Sequence, residues 1–293
     1  MASKIIKRLG LVNYISGAGQ TKKGVCHSPL ILSERLQKEH KNIKIKNYNI
    51  FHGFDNQPFL IEKNKQILND NFDLSQNIKK SFQENEKTLV LGGDHSLGLG
   101  SVAASLEDNK DTHVIWIDAH ADINTPEKSE SKNFHGMPLS FICNLTEEKL
   151  PWLKNYLSPQ NLTYLGLRDV DDFETETLKK YNITNYNAKE TISNLPDILD
   201  EISKKINDKP VHLSVDVDAF DPSLIFSTGT PVNDGLELEH FYKIVNMINQ
   251  STDKNKIMDL AELNLKIGDK NQQNISLKNS LNIINYWLFS CHK

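Results

Sequence analysis

The sequence predicts an α/β fold of three layers, α/β/α, around a mainly parallel central sheet. Short apolar runs of strand-forming residues alternate with longer segments of helical spacing, which is the pattern of successive β-α-β units. Clusters of Asp and His follow several of these apolar runs, and sites in parallel sheets lie at the carboxyl ends of the strands. The 293 residues contain no Pro/Gly/Ser-rich linker and no internal repeat, so we expect a single domain over residues 1–293.

Six strands and at least four helices are predicted along the chain. The predicted strands are 9–13, 88–91, 114–118, 162–166, 211–215 and 257–263. A first helix begins near Ser28 with Pro29 at its first position, where proline is well tolerated, and one or two helices cover 59–85. Two more helices are predicted at 195–206 and 276–290. We expect the turn-prone segment 16–20 to be a loop and the Lys/Asn-rich stretch 41–47 to be solvated surface.

Composition and charge limit the classes of function. A net charge of −4 argues against a general nucleic-acid binder, since such proteins carry a basic stripe. No apolar run is long enough to span a membrane, and residues 1–8 lack the apolar segment of a signal peptide. Cys26, Cys143 and Cys291 are scattered without a CxxC pair, so we expect neither a disulfide scaffold nor a thiolate zinc site. These features favour a cytoplasmic protein without nucleic-acid or membrane partners.

The stretch at residues 114–124 carries the densest chemistry. Four mainly apolar residues form a predicted buried strand, which runs into Asp118, His120 and Asp122. Residues two apart in an extended chain point the same way, so these three side chains can converge on a small volume. Carboxylates in an apolar core are costly unless they are paired or bound to metal, so a structural role for all three is a poor explanation.

Similar side chains follow two other predicted strands. The candidate metal ligands are His95, Asp118, His120, Asp122, Asp216 and Asp218. Carboxylates and imidazoles without sulfur suit a hard-to-borderline divalent ion, and Mn²⁺ fits best. The set exceeds one tetrahedral zinc site, so it favours two ions with bridging carboxylates, about 3.5–4 Å apart, as in metal-assisted hydrolysis.

Each cluster alone has a simpler explanation. A lone His95 is more often a hydrogen-bonded core histidine than a ligand, and the Asp-Pro pair at 221–222 is usually a turn. Segment 98–103 matches GxGxxA, with Asp118 about 20 residues further on, as in a dinucleotide-binding fingerprint. That fingerprint should follow its strand directly, whereas the Gly-Gly-Asp-His-Ser segment intervenes here. Close helix packing explains the small residues more simply, and a nicotinamide enzyme stays a minor alternative.

At these clusters the sequence resembles the arginases, within the ureohydrolase family of binuclear manganese amidinohydrolases. The matching motifs are Gly-Gly-Asp-His-Ser at 92–96, Asp-Ala-His-Ala-Asp-Ile-Asn-Thr-Pro at 118–126, Ser-Val-Asp-Val-Asp-Ala-Phe-Asp-Pro at 214–222, His-Gly-Met-Pro-Leu-Ser at 135–140 and Thr-Gly-Thr-Pro at 228–231. The aspartate motifs mark the whole family. The Asp-Ile-Asn-Thr-Pro segment, followed by Ser-Lys-Asn-Phe-His at 131–135, is more like arginase than agmatinase or formimidoylglutamase.

The resemblance implies an arginase-like fold and two Mn²⁺ per chain. One ion would be held by His95, Asp118, Asp122 and Asp216, and the other by Asp118, His120, Asp216 and Asp218. Asp118 and Asp216 would therefore bridge the ions. Hydroxide held between them would hydrolyse the guanidinium group of L-arginine to L-ornithine and urea. A homo-oligomer, trimer or hexamer, is also implied.

Further roles follow from the resemblance alone. Asp122 would accept a proton, and His135 would relay one to the departing amine. Glu262 and Thr230 would face the guanidinium group, for which an ionised carboxylate is a natural partner. The residues implied at the amino-acid end are Asn124, Ser131 and Asn133 for the α-carboxylate, and Asp171 and Glu174 for the α-amino group.

One departure and two alternatives bear on this hypothesis. Lys132 stands where arginases usually carry glycine, so its bulk and charge can reshape the loop that holds Ser131 and Asn133. A ureohydrolase acting on agmatine or guanidinobutyrate is the second candidate, although agmatine lacks the carboxylate that this loop would recognise. A catalytically idle family member used for binding or assembly is the third, and the complete ligand set argues against it.

Overall fold

One eight-stranded sheet organises the computed structural model, which describes residues 6–51 and 60–290, with the backbone alone for residues 60–63. The strand order is β2-β1-β3-β8-β7-β4-β5-β6, and every neighbouring pair is parallel. The strands are β1 (Arg8–Ile15), β2 (Lys44–Phe51), β3 (Lys87–Gly92), β4 (His113–Ile117), β5 (Leu162–Leu167), β6 (Thr184–Asn187), β7 (Val211–Asp216) and β8 (Asn255–Ala261). All six predicted strands are present.

Helices connect these strands and cover the sheet. They are α1 (Ser28–Glu39), α2 (Leu60–Glu84), α3 (Gly98–Asp108), α4 (Pro138–Ile142), α5 (Asp172–Lys180), α6 (Ala188–Ser193), α7 (Leu195–Ile206), α8 (Leu238–Ser251) and α9 (Lys270–Phe289). Helix α1 has Pro29 in its first turn, as predicted. Helix α9 begins before the predicted residue 276, because Asp269 caps it by accepting a hydrogen bond from the Gln272 backbone. No helix among the described residues is long and apolar enough to cross a membrane.

The central strands bury both faces, which produces the predicted three layers. On β4, Ile115 and Ile117 join a cluster with apolar residues of α1, α7, α8 and α9. Val114 and Trp116 point to the other face and pack with residues of α2, α3 and α4. This alternation follows from the two-residue period of a strand, and burial on both faces is typical of parallel sheets. The α/β/α prediction is confirmed.

Two strands and several of the helices were not predicted from the sequence. Strand β2 lies at the edge of the sheet within the Lys/Asn-rich region, where only Tyr48 and Ile50 are buried. The segment is therefore exposed, as expected, but it forms a strand and not a loop. An edge strand needs few apolar residues, so its sequence pattern is weak. Strand β6 has four residues, and none is fully buried. Helix α8 was missed although Phe241, Ile244 and Ile248 recur at helical spacing.

The GxGxxA segment forms the start of α3, and its glycines serve packing. A Cβ added to Gly98 would lie 2.5 Å from the Trp116 ring, and one added to Gly100 would lie 2.3 Å from the backbone oxygen of Asn71 in α2. The Asn71 side chain also accepts a hydrogen bond from the Gly100 backbone at 2.7 Å. This confirms the interpretation that small residues here permit close approach of α3 to its neighbours.

We expect Gly100→Ala to lower the free energy of unfolding. Overpacking destabilises a fold by about 1–3 kcal/mol, whereas replacing glycine with alanine in a helix stabilises it by roughly 1 kcal/mol. The clash should dominate, because the new Cβ meets the backbone oxygen of Asn71, which cannot move aside as a flexible side chain can. Gly136→Ala is the matched control, because a Cβ there meets nothing within 4 Å. Urea denaturation measures both variants, and equal stability of Gly100→Ala and the wild type would contradict the packing explanation.

Candidate metal centre and active site

Four neighbouring strands at the middle of the sheet deliver the candidate ligands to one edge. Strands β3, β8, β7 and β4 lie side by side and run in the same direction. His95 follows β3, Asp118 follows β4, Asp216 ends β7 and Glu262 follows β8. Because carboxyl ends of parallel strands meet at one edge, residues that are far apart in sequence become neighbours.

The first group of donors surrounds His95. Its Nδ1 lies 3.0 Å from a carboxylate oxygen of Asp118, 3.1 Å from one of Asp122 and 3.2 Å from one of Asp216. The imidazole stacks on Trp116, with ring centroids 4.1 Å apart. His95 is fully buried. A fixed ring whose Nδ1 faces three carboxylates is a suitable half of a cation site.

The second group surrounds His120 and shares Asp118 with the first. His120 Nδ1 lies 3.5 Å from Asp118 Oδ1 and 3.2 Å from Asp218 Oδ2. Asp118 directs its other oxygen, Oδ2, toward His95. The ligand atoms of His95, Asp118 and Asp122 lie within 4.8 Å of one another, and so do those of Asp118, His120 and Asp218. One carboxylate that directs an oxygen to each histidine has the form expected of a bridging ligand.

The donor set fits two divalent cations. Burial raises the pKa of Asp122 to about 6, and the Asp118 charge adds to this effect. Burial and neighbouring carboxylates also raise the pKa values of Asp216 and Asp218. For Asp118, burial has the same upward effect, but hydrogen bonds from the two histidines outweigh it and hold the pKa below its usual value. Crowded acceptors of this kind require a compensating positive charge to remain ionised.

A further buried carboxylate, Glu262, lies beside this centre. Its Oε1 accepts hydrogen bonds from the His95 backbone at 2.9 Å and interacts with His135 Nδ1 at 2.9 Å. Its Oε2 accepts a hydrogen bond from Gln20 Nε2 at 2.5 Å. Burial lowers the pKa of His135, but Glu262 more than reverses this and raises it to about 9. The His135 ring is therefore oriented by Glu262, with Nε2 left for proton exchange.

A cavity of about 150 Å³ opens over the centre and collects most of the predicted site residues. It is lined by His120, Asp122, Asn124, Ser129, Ser131, Asn133, His135, Gly136, Asp169, Asp171, Glu174, Asp216, Asp218 and Thr230. His95, Asp118 and Glu262 are not in this lining and are buried behind it. The structure thus brings the predicted metal-binding and substrate-binding residues together around one cavity.

Three of the residues predicted for the amino-acid end are linked to each other. Asn124 Nδ2 donates to Asp171 Oδ2 at 2.7 Å. Asp171 is the N-cap of α5 and forms a capping box with Glu174, whose carboxylate accepts hydrogen bonds from the backbones of Asp171 and Ile123. Burial and the nearby charge of Asp122 raise the pKa of Glu174 to about 7. The start of α5 thereby holds two acidic groups at the cavity wall.

The Thr230 side chain contacts a candidate metal ligand rather than Glu262. Its hydroxyl donates to Asp218 Oδ2 at 2.8 Å, so it orients a candidate ligand. Lys132 does not line the cavity. Its ammonium group donates to the backbone oxygens of Pro126 and Glu127 at 2.9 and 3.4 Å, which braces the loop from outside. Lys132 also adopts a φ of 56°, a region that favours glycine.

Arg168, for which the sequence predicts no role, holds the loops around the cavity together. Its guanidinium group donates to the backbone oxygens of Gly166, Asp218, Ala219, Val232 and Asn233. Gln20 and Asp169 were missed as well. Both follow strands of the sheet, β1 and β5, so the strand-end criterion that found the metal ligands would have found them.

The pair of His135 and Glu262 predicts a pH-dependent stability. A histidine pKa raised from 6.5 to about 9 stabilises the fold fully below about pH 6.5, and this stabilisation is lost as the pH rises through about 9. We expect the stability difference between the metal-free wild type and His135→Asn to shrink over that range. Urea denaturation at about pH 6 and about pH 10 measures it. A difference that stays constant with pH would contradict the raised pKa.

Comparisons with known proteins agree with this geometry. A model of the arginase family matches residues 13–283. The non-hepatic arginase 2 of Xenopus laevis is 33% identical over 270 residues, which cover 84% of this chain and 73% of that protein. The mitochondrial arginase-2 of Rattus norvegicus is 34% identical over 267 residues, 84% of this chain and 74% of that protein. The structure of Entamoeba histolytica arginase in complex with L-ornithine matches with a TM-score of 0.86 and 28% identity, covering 97% of this chain and 99% of that chain. The chain belongs to the arginase family.

Proposed function

We propose that this protein hydrolyses the guanidinium group of L-arginine to L-ornithine and urea. The observation that carries the proposal is the arrangement of two histidine–carboxylate groups that share Asp118. The same cavity presents amide, hydroxyl and acidic side chains at its other end. Family membership over most of the chain, together with relatives named arginase, supports the same activity.

We propose manganese as the metal. The six donors are carboxylate oxygens and imidazole nitrogens, which suit a hard-to-borderline divalent ion, and no described cysteine joins them. His95, Asp118, Asp122 and Asp216 would hold one ion, and Asp118, His120, Asp216 and Asp218 the other. When bound, the ion pair supplies activated water for attack on the guanidinium carbon.

The other side chains stabilise the positive charge of the guanidinium group and move protons. Glu262 is a buried carboxylate behind His135, and we assign it to the guanidinium end of the site, where its charge suits an always-cationic group. Asp122 accepts a proton from the water. His135 holds a proton at Nε2 and can pass it to the departing amine, because Nδ1 is engaged by Glu262. Thr230 supports this end through Asp218.

Recognition of the amino acid is assigned to the opposite wall. Asn124, Ser131 and Asn133 provide neutral donors for the α-carboxylate, and all three line the cavity. Asp171 and Glu174 provide acidic groups for the α-amino group. Asn124 donates a hydrogen bond to Asp171, so these two members of the recognition set orient each other. This wall favours arginine over guanidino compounds that lack the amino-acid end, which remain the second candidate.

We also propose a homo-oligomer, a trimer or hexamer, for this protein, and the cytoplasm as its compartment. Cys143 is a buried thiol that forms no disulfide, as is usual for proteins of a reducing compartment. The single-domain organisation over residues 1–293 is supported by one sheet that takes strands from Arg8 to Ala261. Light scattering on the purified protein measures its mass, and a monomer would contradict the assembly proposed.

We expect arginine to exceed agmatine in kcat/KM by at least ~10²-fold, since polar groups built for a substrate are left unpaired when the substrate lacks their partners. Urea release from both compounds after manganese loading measures the ratio. Asp171→Ala should raise KM for arginine more than it lowers kcat, because Asp171 acts far from the reacting carbon. Comparable rates on both compounds would exclude arginase specificity and leave another ureohydrolase activity standing.

Metal analysis after manganese loading and dialysis should give close to two ions per chain. Asp118→Ala and Asp216→Ala should retain less metal than Asp122→Ala, because the first two are assigned to both ions and the third to one. Asp111→Ala, at an exposed loop residue, is the control and should bind as the wild type does. One zinc per chain, or no bound metal in the wild type, would defeat the binuclear assignment.

A further inference from the structure

Behind the candidate metal centre, several polar side chains lie on the face of the sheet that α3 covers. His212 and Ser214 belong to β7 and Asp259 belongs to β8, and all three are fully buried. The parallel register pairs Ser214 with Asp259. His212 precedes Ser214 by two residues and therefore points to the same face. Ser101 of α3 contacts Asp259 from the helix layer, with its hydroxyl 2.5 Å from Oδ2.

A chain of hydrogen bonds, with each donor and acceptor defined, connects these side chains to the candidate ligand His95. His95 Nδ1 faces the carboxylates of Asp118 and Asp216. A ligating nitrogen must be deprotonated, so the ring proton lies on Nε2 when Nδ1 binds metal. Nε2 is 3.0 Å from Ser214 Oγ and donates to it. Ser214 in turn donates its own proton to Asp259 Oδ2 at 3.4 Å.

Asp259 is held in place by further donors. Its Oδ2 accepts from Ser101 Oγ and from His212 Nε2, the latter at 2.8 Å. The other nitrogen of His212 lies 2.7 Å from Ser105 Oγ. We call Ser101, His212 and Asp259 the rear cluster. Its carboxylate is anchored by α3 and β7 together, so it provides a rigid acceptor for Ser214.

The rear cluster lies outside the catalytic cavity, and none of its members lines that cavity. Burial of a carboxylate in an apolar layer is costly unless hydrogen bonds compensate for it. Contact with a substrate cannot explain why the Asp259 carboxylate is buried here, because Asp259 does not line the cavity. Its link to His95 through Ser214 does explain it. Carboxylates hydrogen-bonded behind a ligating histidine fix its tautomer and orientation and increase its basicity. Here that effect passes through Ser214.

We propose that the rear cluster, acting through Ser214, positions His95 and sets the affinity of the metal site that contains His95. The site that contains His120 has no hydrogen bond to the rear cluster among the described residues. The two sites therefore differ in what supports their histidines. Asp259, His212 and Ser101 are positioning residues and do not touch the substrate. The inference rests on the proposed binuclear centre.

The test is a calorimetric titration of the metal-free protein with manganese(II), for the wild type and for Asp259→Asn. We expect Asp259→Asn to weaken binding at one site by about 10–100-fold, the range found when partners of metal-bound histidines are removed. The other site should keep its affinity. Electron paramagnetic resonance gives a second readout, since a lone manganese ion differs in its spectrum from a coupled pair. Unchanged affinity at both sites, or equal loss at both, would overturn the proposal.

His113→Gln is the matched control for a general loss of stability. His113 is a buried strand histidine on β4, bonded to Thr163 at 2.9 Å, and it should leave both manganese affinities unchanged. Should Asp259→Asn fail to fold, Ser214→Ala decides, because it cuts the link and leaves the rear cluster intact. Retention of both affinities in Ser214→Ala would also overturn the proposal. A wild type that does not bind two ions would instead refute the proposed binuclear centre.

Discussion

The mutual repulsion of four aspartates within one small buried volume is the constraint on which the structure depends. Asp118, Asp122, Asp216 and Asp218 lie around two histidines at the carboxyl edge of the sheet. Burial and mutual repulsion raise the pKa values of three of them. The four carboxylates can all remain ionised at this distance only if cations compensate their charge and the scaffold keeps the strands from moving apart. The four central parallel strands provide that scaffold.

Several residues around the cavity have positive φ angles, which non-glycine residues rarely adopt. Asp122 and Glu262 have φ values of 50° and 66°, and Lys132 in the recognition loop has 56°. Non-glycine residues pay for this conformation, so surrounding contacts must enforce it. Arg168 stabilises neighbouring loops of the cavity by donating to five backbone oxygens from three segments. Lys132 contributes in the same way through the carbonyls at 126–127.

Helix α5 shows how one local structure can serve fold and site together. Asp171 and Glu174 form its capping box, which is a common way to satisfy free backbone N–H groups at a helix start. The same two carboxylates line the cavity. A helix N-terminus favours negative charge, so acidic groups are held there without a separate cationic partner. The proposed recognition of an α-amino group therefore relies on a structure that the helix needs in any case.

The sequence alone determined the sheet class, six of the eight strands and the metal-ligand candidates. These depend on local signals, namely strand and helix periods and the motifs at 92–96, 118–126 and 214–222. Strand β2 and strand β6 were beyond this approach, because edge strands carry weak apolar patterns. Helix α8 was within reach, since its apolar spacing is plain in the sequence.

Only the tertiary structure decided which polar residues meet. Strand order places β7 and β8 between β3 and β4, so His95, Asp118, Asp216 and Glu262 converge although nearly 170 residues separate the first from the last. The same order creates the link from His95 through Ser214 to Asp259, which no local pattern reveals. It also turned Thr230 toward Asp218 and Lys132 away from the cavity. Local sequence specifies the elements, whereas pairing between distant strands specifies the contacts.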